Sequence, residues 1–503
     1  MRDYNAYKFS QIPGGVNENR WADEEEIKAD LRPVKLSASF PQRASGLPVI
    51  SDGDLTWVDN SDAHSLVIGS TGSKKTRLFV MPALELFRRA RESVVVTDPK
   101  GELYERSALA FEKAGYEVRV LNLRNPARSD CWNPLQLARE YWMKGEKDRA
   151  AAVVADLAMC LIPEKPGSKM DPFWDHTTRS ILRGLCMAMV ENPKDFALQD
   201  MNLAMLKSLS RDISEDSEPG PVYRYLKENY PEDSLAVINI DSVIRGSSRT
   251  FENICVSYDA SVSPLYVQHS LIEMLSSNNM DFHAFGRKPV ILYLIVPDEK
   301  TSLNMIVTLC VTQLYQQLID EAQNSEGNRL PRRVNFLLDE FSNFPAIPDF
   351  SAMISAGRSR NIRFHLIIQG LEQMVFRYGR ETAQTIKANC QNWFFLCSRE
   401  LELLNEISAL CGENHRGTPL ITPVQLQHLR KERGECLVLL GRHYPYIAHL
   451  PDISEYMGQQ NMSESRPLPM RKAQTSFRSW REAVGFKTER PDRALSDLED
   501  MLF

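Results

Sequence analysis

Residues 69–76 read Gly-Ser-Thr-Gly-Ser-Lys-Lys-Thr and follow the short apolar run 66–68. The pattern G-x-x-x-x-G-K-[ST] is typical of a phosphate-binding loop, and this chain departs from it only at Lys74, where a glycine belongs. Such a loop joins a buried strand to a helix, so that successive backbone N–H groups surround an anion at the start of the helix. The segment therefore predicts an α/β domain that binds a nucleoside triphosphate, ATP, with Mg²⁺.

The loop residues have distinct expected roles. Lys75 would contact the β- and γ-phosphates as a catalytic group, and Thr76 would ligate Mg²⁺. Lys74 would either crowd the β-phosphate or add a second positive charge, and the sequence leaves both alternatives open. The residues expected to bind the nucleotide are Gly69, Ser70, Thr71, Gly72, Ser73, Lys74, Lys75 and Thr76.

Strand-like and helix-like segments alternate in two separate parts of the chain. Early strands are expected at 66–68, 94–97 and 117–121, with a helix at 104–114. Strands alternating with helices predict a mainly parallel sheet that is covered by helices on both faces. The later strands are expected at 290–296, 334–338, 362–368, 393–397 and 436–440.

The stretch between these two parts is poor in strand-like runs, and its apolar spacing indicates helices, for example at 148–160 and 177–190. We therefore predict a discontinuous nucleotide-binding domain at 63–135 and 286–454, with an all-α domain inserted at 136–285. Residues 1–62 are expected to form an irregular arm with little core of its own. Residues 455–503 are expected to form a polar tail, whose basic cluster from Arg466 to Arg481 is either solvated or a docking peptide.

Two adjacent acids, Asp339 and Glu340, end the apolar run at 334–338. In a parallel sheet, ligands bind beyond the carboxyl ends of the strands, so these acids would lie beside the phosphates. Asp339 would hold Mg²⁺, and Glu340 would act as the general base on the attacking water. Gln369 follows the strand at 362–368; it would sense the γ-phosphate as a catalytic group, or it is an ordinary helix start.

Arg358 and Arg360 precede the strand at 362–368. An arginine that reaches the γ-phosphate bound to a neighbouring subunit can raise the rate by about 10³–10⁵. Both residues are candidates for this catalytic role. Each is equally compatible with a DNA contact or with an ordinary salt bridge.

Charge and composition limit the location and the partners of the 503-residue chain. Its formal net charge of −6 gives no global basic field, so binding to nucleic acid would need a local patch or a channel built from several subunits. Nine scattered cysteines without a CxxC pair favour a reducing, cytoplasmic setting. No apolar run is long enough for a transmembrane helix, and the N-terminus does not resemble a signal peptide.

Several further segments stand out, in a fixed order along roughly residues 66–450. They comprise Asp98-Pro99-Lys100-Gly101-Glu102, Cys131-Trp132-Asn133-Pro134-Leu135, Asp171-Pro172-Phe173-Trp174, Leu337-Leu338-Asp339-Glu340-Phe341, Gly357-Arg358-Ser359-Arg360-Asn361-Ile362, and the run from Pro419 to Val438. Together with the nucleotide motifs, these segments resemble those of the type IV coupling proteins, the TraG/TraD group of conjugation and type IV secretion ATPases. The matches are spread over most of the chain, which makes them more specific than a single motif.

The resemblance implies a RecA-like P-loop ATPase domain that carries an all-α domain and assembles as a homo-hexamer. It also implies a coupling protein that delivers DNA, or a relaxase–DNA substrate, to a type IV secretion or conjugation channel and drives transfer by ATP hydrolysis. The implied partners are single-stranded DNA bound without sequence preference, relaxase or relaxosome proteins, and channel proteins. The implied location is the cytoplasmic face of the plasma membrane, to which the protein would be recruited by partner proteins.

Two departures from the family pattern keep other functions open. Family members usually carry N-terminal transmembrane helices, which this chain lacks, so it would be a soluble member, a truncated form or one anchored by a partner. Lys74 leaves open a nucleotide-binding substrate adaptor with weak or no hydrolysis. A DNA translocase of the HerA/FtsK type is a further alternative, against which the Trp132-Asn133-Pro134-Leu135 element and the large helical insertion argue.

Overall fold

The computed structural model describes residues 19–38, 41–163, 171–216, 218–297, 299, 301–414, 416–441, 443–456, 465–471 and 477–486. These residues form two compact units. The first contains the described residues up to 129 and those within 280–469, and the second contains those within 130–279 and from 470 onward. Parts of the predicted arm, at 1–18, and of the predicted tail, at 457–464, 472–476 and 487–503, lie outside the described residues.

The strands are β1 (Arg32–Lys35), β2 (Pro48–Ser51), β3 (Leu55–Val58), β4 (His64–Gly69), β5 (Ser93–Asp98), β6 (Glu117–Asn122), β7 (Ser214–Glu215), β8 (Glu218–Pro219), β9 (Val290–Ile295), β10 (Val334–Leu338), β11 (Ile362–Ile368), β12 (Cys390–Cys397), β13 (Glu435–Leu440) and β14 (Tyr446–His449).

The α-helices are α1 (Glu24–Asp30), α2 (Met81–Ala90), α3 (Glu102–Lys113), α4 (Gln136–Met143), α5 (Lys147–Leu161), α6 (Pro172–Glu191), α7 (Leu203–Arg211), α8 (Pro221–Asn229), α9 (Leu235–Ile244), α10 (Ser248–Val262), α11 (His269–Met274), α12 (Ala284–Arg287), α13 (Asn304–Gln323), α14 (Phe350–Gly357), α15 (Leu371–Tyr378), α16 (Arg380–Asn389), α17 (Leu401–Cys411), α18 (Pro423–Gln427) and α19 (Trp480–Val484). A π-helical turn, Thr76–Val80, leads into α2.

The main sheet of the first unit joins nine described strands in the order β14-β13-β12-β4-β11-β10-β5-β9-β6. The pairs from β12 to β6 are parallel, whereas β13 and β14 are antiparallel. The central strands β4, β5, β9, β10 and β11 are buried at every position, as expected of parallel strands covered on both faces. The prediction of an α/β, mainly parallel, RecA-like sheet is confirmed, and the predicted strands and helices are present with ends shifted by a few residues.

The N-terminal residues differ from the predicted irregular arm. Strands β1, β3 and β2 form a small antiparallel sheet, and α1 precedes it. Val34, Val49 and Val58 are fully buried in the same core as α2 and the main sheet, together with Ile27 of α1. The strands have four residues each and are partly exposed, so their burial depends on packing that a short sequence pattern does not reveal.

The second unit is mainly helical and contains α4–α11 with the short β7–β8 pair. Its described residues in the region of the predicted insertion run from 130 to 279, whereas the predicted bounds were 136 and 285, and it also includes described residues from 470 onward. The earlier start arises because the Trp132-Asn133 element bonds to residues of the helical unit. Asn133 Nδ2 donates to Met201 O at 2.6 Å, and Trp132 N donates to Met274 O at 2.9 Å. Asp171 caps α6 by accepting from Phe173 N at 2.9 Å.

The described end of the chain differs from the predicted polar tail. Arg466 pairs with Glu112 at 3.0 Å within the first unit. Residues 477–486 pack within the second unit, where Trp480 is fully buried. The described arginines Arg466, Arg478 and Arg481 of the basic cluster therefore make ion pairs. Among the described residues, none of the helices combines the length and the apolar character that crossing a bilayer requires.

A buried ionic network ties the N-terminal sheet to the main sheet of the first unit. The Glu92 carboxylate accepts from Arg363 at 2.9 Å and from Arg333 at 3.3 Å, and it also accepts from Ser45 Oγ. The Arg363 side chain is only 1% exposed and also donates to Ser45 O and Asp59 O. Burial alone would raise the pKa of Glu92, but the two guanidinium charges and the hydrogen bonds outweigh it and hold that pKa below its ordinary value.

We expect Glu92→Gln to destabilise the first unit by about 3 kcal/mol near pH 7, because it leaves two arginine charges uncompensated in a buried place. The charge of Glu92 stabilises fully above the unfolded-state pKa of about 4.3, and its contribution is lost as pH falls through the lower folded-state pKa. Urea denaturation at several pH values measures this difference, which should shrink below about pH 4. The exposed Glu432→Gln is the matched control, and equal stability of the two variants at pH 7 would contradict the expectation.

Candidate nucleotide-binding site

The predicted phosphate-binding loop closes tightly after β4. Ser70 N donates to Cys397 O at the end of β12 at 3.0 Å, and Ser73 N donates to Ser70 O at 3.1 Å. A Cβ atom on Gly69 would lie 2.4 Å from Ser73 Oγ, so the first position of the loop requires glycine. Gly72 has a φ of +78°. The loop therefore has the close turns that a backbone anion site needs.

Lys75 points its ammonium group back into this loop. Its Nζ donates to Gly69 O at 2.6 Å and to Ser70 O at 3.4 Å, and the residue is only 7% exposed. Ser73 Oγ is buried beside it without a hydrogen-bond partner among the described residues. A buried cation that donates to two carbonyl oxygens, beside a hydroxyl without a partner among the described residues, fits an anionic phosphate group, which would satisfy both.

Lys74 stands at the glycine position of the motif and adopts a backbone conformation that is typical of glycine. Its φ is +68°, in the left-handed region that costs a residue with a Cβ roughly 1–2 kcal/mol. Its Nζ lies 4.0 Å from Asp452 Oδ2, and Arg77 Nε donates to the same oxygen at 2.7 Å. The Arg77 hydrogen bond holds the pKa of Asp452 far below its ordinary range. The loop thus keeps its left-handed turn, and the Lys74 ammonium lies beside a carboxylate after β14.

The two predicted acids lie at the carboxyl end of β10. Asp339 is 6% exposed, and its Oδ1 accepts from Glu340 N at 2.9 Å. Burial and the neighbouring Glu340 charge raise the pKa of Asp339 to about 7, while the Lys75 charge acts in the opposite direction. A buried carboxylate next to a second one needs a positive charge, and a divalent cation would supply it.

Gln369 connects the loop to the acids. It follows β11, which lies between the loop strand β4 and the acid strand β10. Its Nε2 donates to Glu340 Oε2 at 2.9 Å, and its Oε1 accepts from Thr71 Oγ1 at 3.1 Å. The structure therefore brings Thr71, Glu340 and Gln369, which are distant in sequence, into one hydrogen-bonded chain.

Asp98 lies at the carboxyl end of β5, the other neighbour of β10. It is fully buried, and its Oδ2 accepts from Tyr104 N at 2.9 Å at the start of α3. Its Oδ1 has no hydrogen-bond partner in the described part of the chain, and burial raises its pKa to about 6. The Asp98–Glu102 segment thus begins with a buried carboxylate at the same sheet edge as Asp339, and its remaining residues are half-buried or exposed.

Arg358 and Arg360 lie at the amino end of β11, opposite to Gln369. Arg358 pairs with Asp62 at 3.0 Å, and Arg360 donates to Asn328 O at 3.1 Å. A strand of this length spans roughly 20 Å. Within one chain the structure does not bring these arginines to the loop, so a role at a γ-phosphate would require a second subunit.

Three site residues were missed in the sequence because they come from distant segments. Lys431 Nζ donates to Gly72 O at 3.4 Å. Glu400 accepts from the N–H groups of Leu371 and Glu372 at 2.8 and 3.0 Å, which caps the helix that follows Gln369. Asp452 is the third. A basic turn before a strand and single acids after strands are too common to signal a site, so no pattern singled them out.

Comparison with known proteins agrees with the fold and identifies the family. The family described as type IV secretory system conjugative DNA transfer matches residues 20–422. No curated protein sequence matches the chain. Solved structures with a similar fold include the plasmid coupling protein TrwB in complex with the non-hydrolysable ATP analogue ADPNP, at 15% identity and a TM-score of 0.61, covering 87% of this chain and 96% of that one.

Two further structures of that protein are similar. TrwB in complex with ADP and Mg²⁺ has 15% identity and a TM-score of 0.60, covering 91% of this chain and 95% of that one. The bacterial conjugative coupling protein TrwBΔN70, in a trigonal form with sulphate, has 14% identity and a TM-score of 0.60, covering 92% and 97%. At this identity the likeness establishes a shared fold.

We expect Lys74→Gly to stabilise the nucleotide-free protein by about 1 kcal/mol, because glycine adopts the left-handed backbone without a steric cost. Thermal unfolding measures this as a higher melting temperature. Lys74→Ala is the matched control, since it removes the ammonium group but keeps the strained backbone, and it should not stabilise. A lower melting temperature for Lys74→Gly than for Lys74→Ala would show that the strain is not released.

Proposed function

We propose that this chain, which belongs to the type IV secretory system conjugative DNA transfer family, is an ATP-driven coupling protein that delivers DNA to a secretion channel. The observation that carries the proposal is the hydrogen-bonded chain from Thr71 through Gln369 to Glu340. It joins the phosphate-binding loop to the acid that would activate water. A site that only stored a nucleotide would not need this connection.

ATP with Mg²⁺ fits the charges of the site. Lys75 and the loop N–H groups would hold the β- and γ-phosphates, and Thr76 and Asp339 would hold the metal, directly or through water. Bound Mg²⁺ would neutralise the charge that develops on the phosphates. Burial and the neighbouring Glu340 charge raise the pKa of Asp339 to about 7, and a bound cation would act in the opposite direction. TrwB, which has a similar fold, binds ADPNP and binds ADP with Mg²⁺, and this supports the same assignment.

Glu340 is the proposed general base of hydrolysis. The Gln369 amide donates to Glu340 Oε2 at 2.9 Å, which orients the carboxylate and leaves Oε1 for the attacking water. Loss of the γ-phosphate would change the contacts of Thr71 and Gln369. Because Gln369 leads directly into α15, whose start is held by Glu400, this change would be passed to the helix.

Lys431 is a further candidate for phosphate binding. Its ammonium group contacts Gly72 O in the middle of the loop, at 3.4 Å. Lys74, Lys75 and Lys431 thus place three positive charges at one loop. Of these three lysines, Lys74 is the one that lies beside the Asp452 carboxylate. The left-handed backbone of Lys74 also supports the motor over the substrate adaptor, because the loop has the turn that a glycine would give it.

The proposed substrate is single-stranded DNA, bound without sequence preference and delivered with relaxase or relaxosome proteins to the channel. The proposed assembly is a homo-hexamer at the cytoplasmic face of the plasma membrane. A net charge of −6 means that DNA would be held by local basic surfaces, which contact phosphates and need no base readout. The match to the conjugative DNA transfer family favours this function over a HerA/FtsK-like translocase.

We expect ATP turnover by the full-length protein to rise with single-stranded DNA, and Lys75→Ala and Glu340→Gln to abolish that rise. Glu340→Gln should keep nucleotide affinity, because it removes only the base, whereas Lys75→Ala should weaken it about tenfold or more. Steady-state phosphate release and binding of a fluorescent ATP analogue measure the two effects. Glu381→Gln, which replaces an exposed acid of α16, is a control that should leave both unchanged.

Nucleotide binding without turnover, and with no response to DNA, would reject the motor and favour the adaptor. Turnover that DNA does not change would leave an ATPase but would contradict the proposed substrate.

The arginine hypothesis makes a separate prediction. If Arg358 or Arg360 acts on a neighbouring subunit, mixing Arg358→Ala or Arg360→Ala protein with Lys75→Ala protein should recover part of the turnover that each variant lacks alone. Recovery is expected because some interfaces would then pair an intact loop with an intact arginine. Phosphate release across a series of mixing ratios measures it. A strictly additive response at every ratio would show that neither arginine acts across subunits.

A further inference from the structure

Trp480 is the only buried residue of the segment 477–486. Its indole Nε1 donates to Asp212 Oδ2 at 2.6 Å, and its backbone N donates to Ser208 Oγ at 3.0 Å. Its ring lies 5.7 Å from that of Tyr225, at an angle of 52°. All of these partners belong to the helical unit. Trp480 is thus the most deeply buried contact of this segment with the helical unit.

Two arginines beside this tryptophan meet acids of the helical unit. Arg481 Nε donates to Asp212 Oδ2 at 2.8 Å, the same oxygen that accepts from the indole. Arg478 pairs with Asp200 at 3.1 Å, and the Asp200 side chain is only 4% exposed. We refer to the surface formed by Asp200, Ser208, Asp212 and Tyr225 as the Trp480 socket. It combines an aromatic wall with two carboxylates, which suits a tryptophan flanked by arginines.

The segment is bound in the way a peptide is bound, and not in the way a core helix is packed. Helix α19 has five residues, too few to be stable without external contacts. Its own capping box, from Ser479 to Glu482, organises it locally. Its contacts are one fully buried aromatic anchor, two charged neighbours and a peripheral ring contact of Phe477 with His269 at 5.7 Å, and a dominant central anchor is the usual pattern of peptide hot spots.

We propose that the Trp480 socket is a peptide-binding site of the helical unit, which takes a segment of a partner protein that presents a tryptophan between arginines. Residues 477–486 occupy the socket in the resting chain and compete with that partner. A tethered segment acts at an effective concentration of about a millimolar, so a partner binds only when its own affinity or local concentration exceeds this competition. The socket is separate from the nucleotide site, and the proposal does not depend on ATP hydrolysis.

The test uses a fluorescein-labelled peptide with the sequence of residues 477–486 and the full-length Trp480→Ala protein. The variant frees the socket, and we expect saturable binding by fluorescence anisotropy. The wild-type protein should bind the same peptide about a hundredfold more weakly, because its own segment competes. A peptide with alanine in place of the tryptophan should bind the variant about thirtyfold more weakly, as expected for an anchor residue.

Asp212→Asn in the Trp480→Ala background should reduce binding, whereas Asp233→Asn, an exposed acid of the same unit, is the matched control. Circular dichroism and thermal unfolding show whether Trp480→Ala remains folded. Absence of binding to a folded variant would overturn the proposal. Loss of cooperative unfolding in Trp480→Ala would also overturn it, because Trp480 would then belong to the permanent core. Equal binding to wild type and variant would refute the competition.

Discussion

The carboxyl edge of the parallel sheet determines the function of the first unit. Strands β4, β11, β10 and β5 are adjacent in the sheet, although they come from segments separated by more than 200 residues of sequence. Lys75, Gln369, Asp339 and Asp98 follow or end these four neighbouring strands, and they therefore lie at the same edge of the sheet. Burying the Lys75 ammonium and the carboxyl groups of Asp339 and Asp98 costs free energy. A bound metal ion and a phosphate would offset that cost by supplying opposite charges.

Lys74 shows that a residue other than glycine can stand at this motif position while the loop keeps its backbone geometry. A glycine is expected at this position because the turn needs a positive φ, and Lys74 has that φ despite its Cβ. The surrounding loop, with its bonds to β12 and the Asp452 carboxylate nearby, determines the backbone more strongly than the side chain does. Such strain is typical of functional sites, where neighbours fix a conformation that a residue alone would avoid.

The sequence predicted the elements whose signal is local. Strands β10 and β11 have the predicted bounds because they are continuous buried runs, and the acids and amide that follow them lie at the site as the parallel topology requires. The N-terminal sheet was missed because four-residue strands become buried only through packing on the core. Lys431 and Asp452 were missed for a related reason: their contacts with the loop depend on tertiary structure, and neither stands in a distinctive pattern.

The packing of the C-terminal segment 477–486 was not predicted for the same reason: it depends on tertiary contacts and not on a local sequence pattern. A run of arginines around one tryptophan reads as a solvated basic stretch, because nothing in it indicates a core. The helical unit supplies two carboxylates, one of which also accepts from the indole, and both would be poorly satisfied if buried without cations. Each half of this contact is incomplete without the other. Because the main contacts are those of one indole and two guanidinium groups, the proposed partner segment would need only the same chemistry to replace residues 477–486.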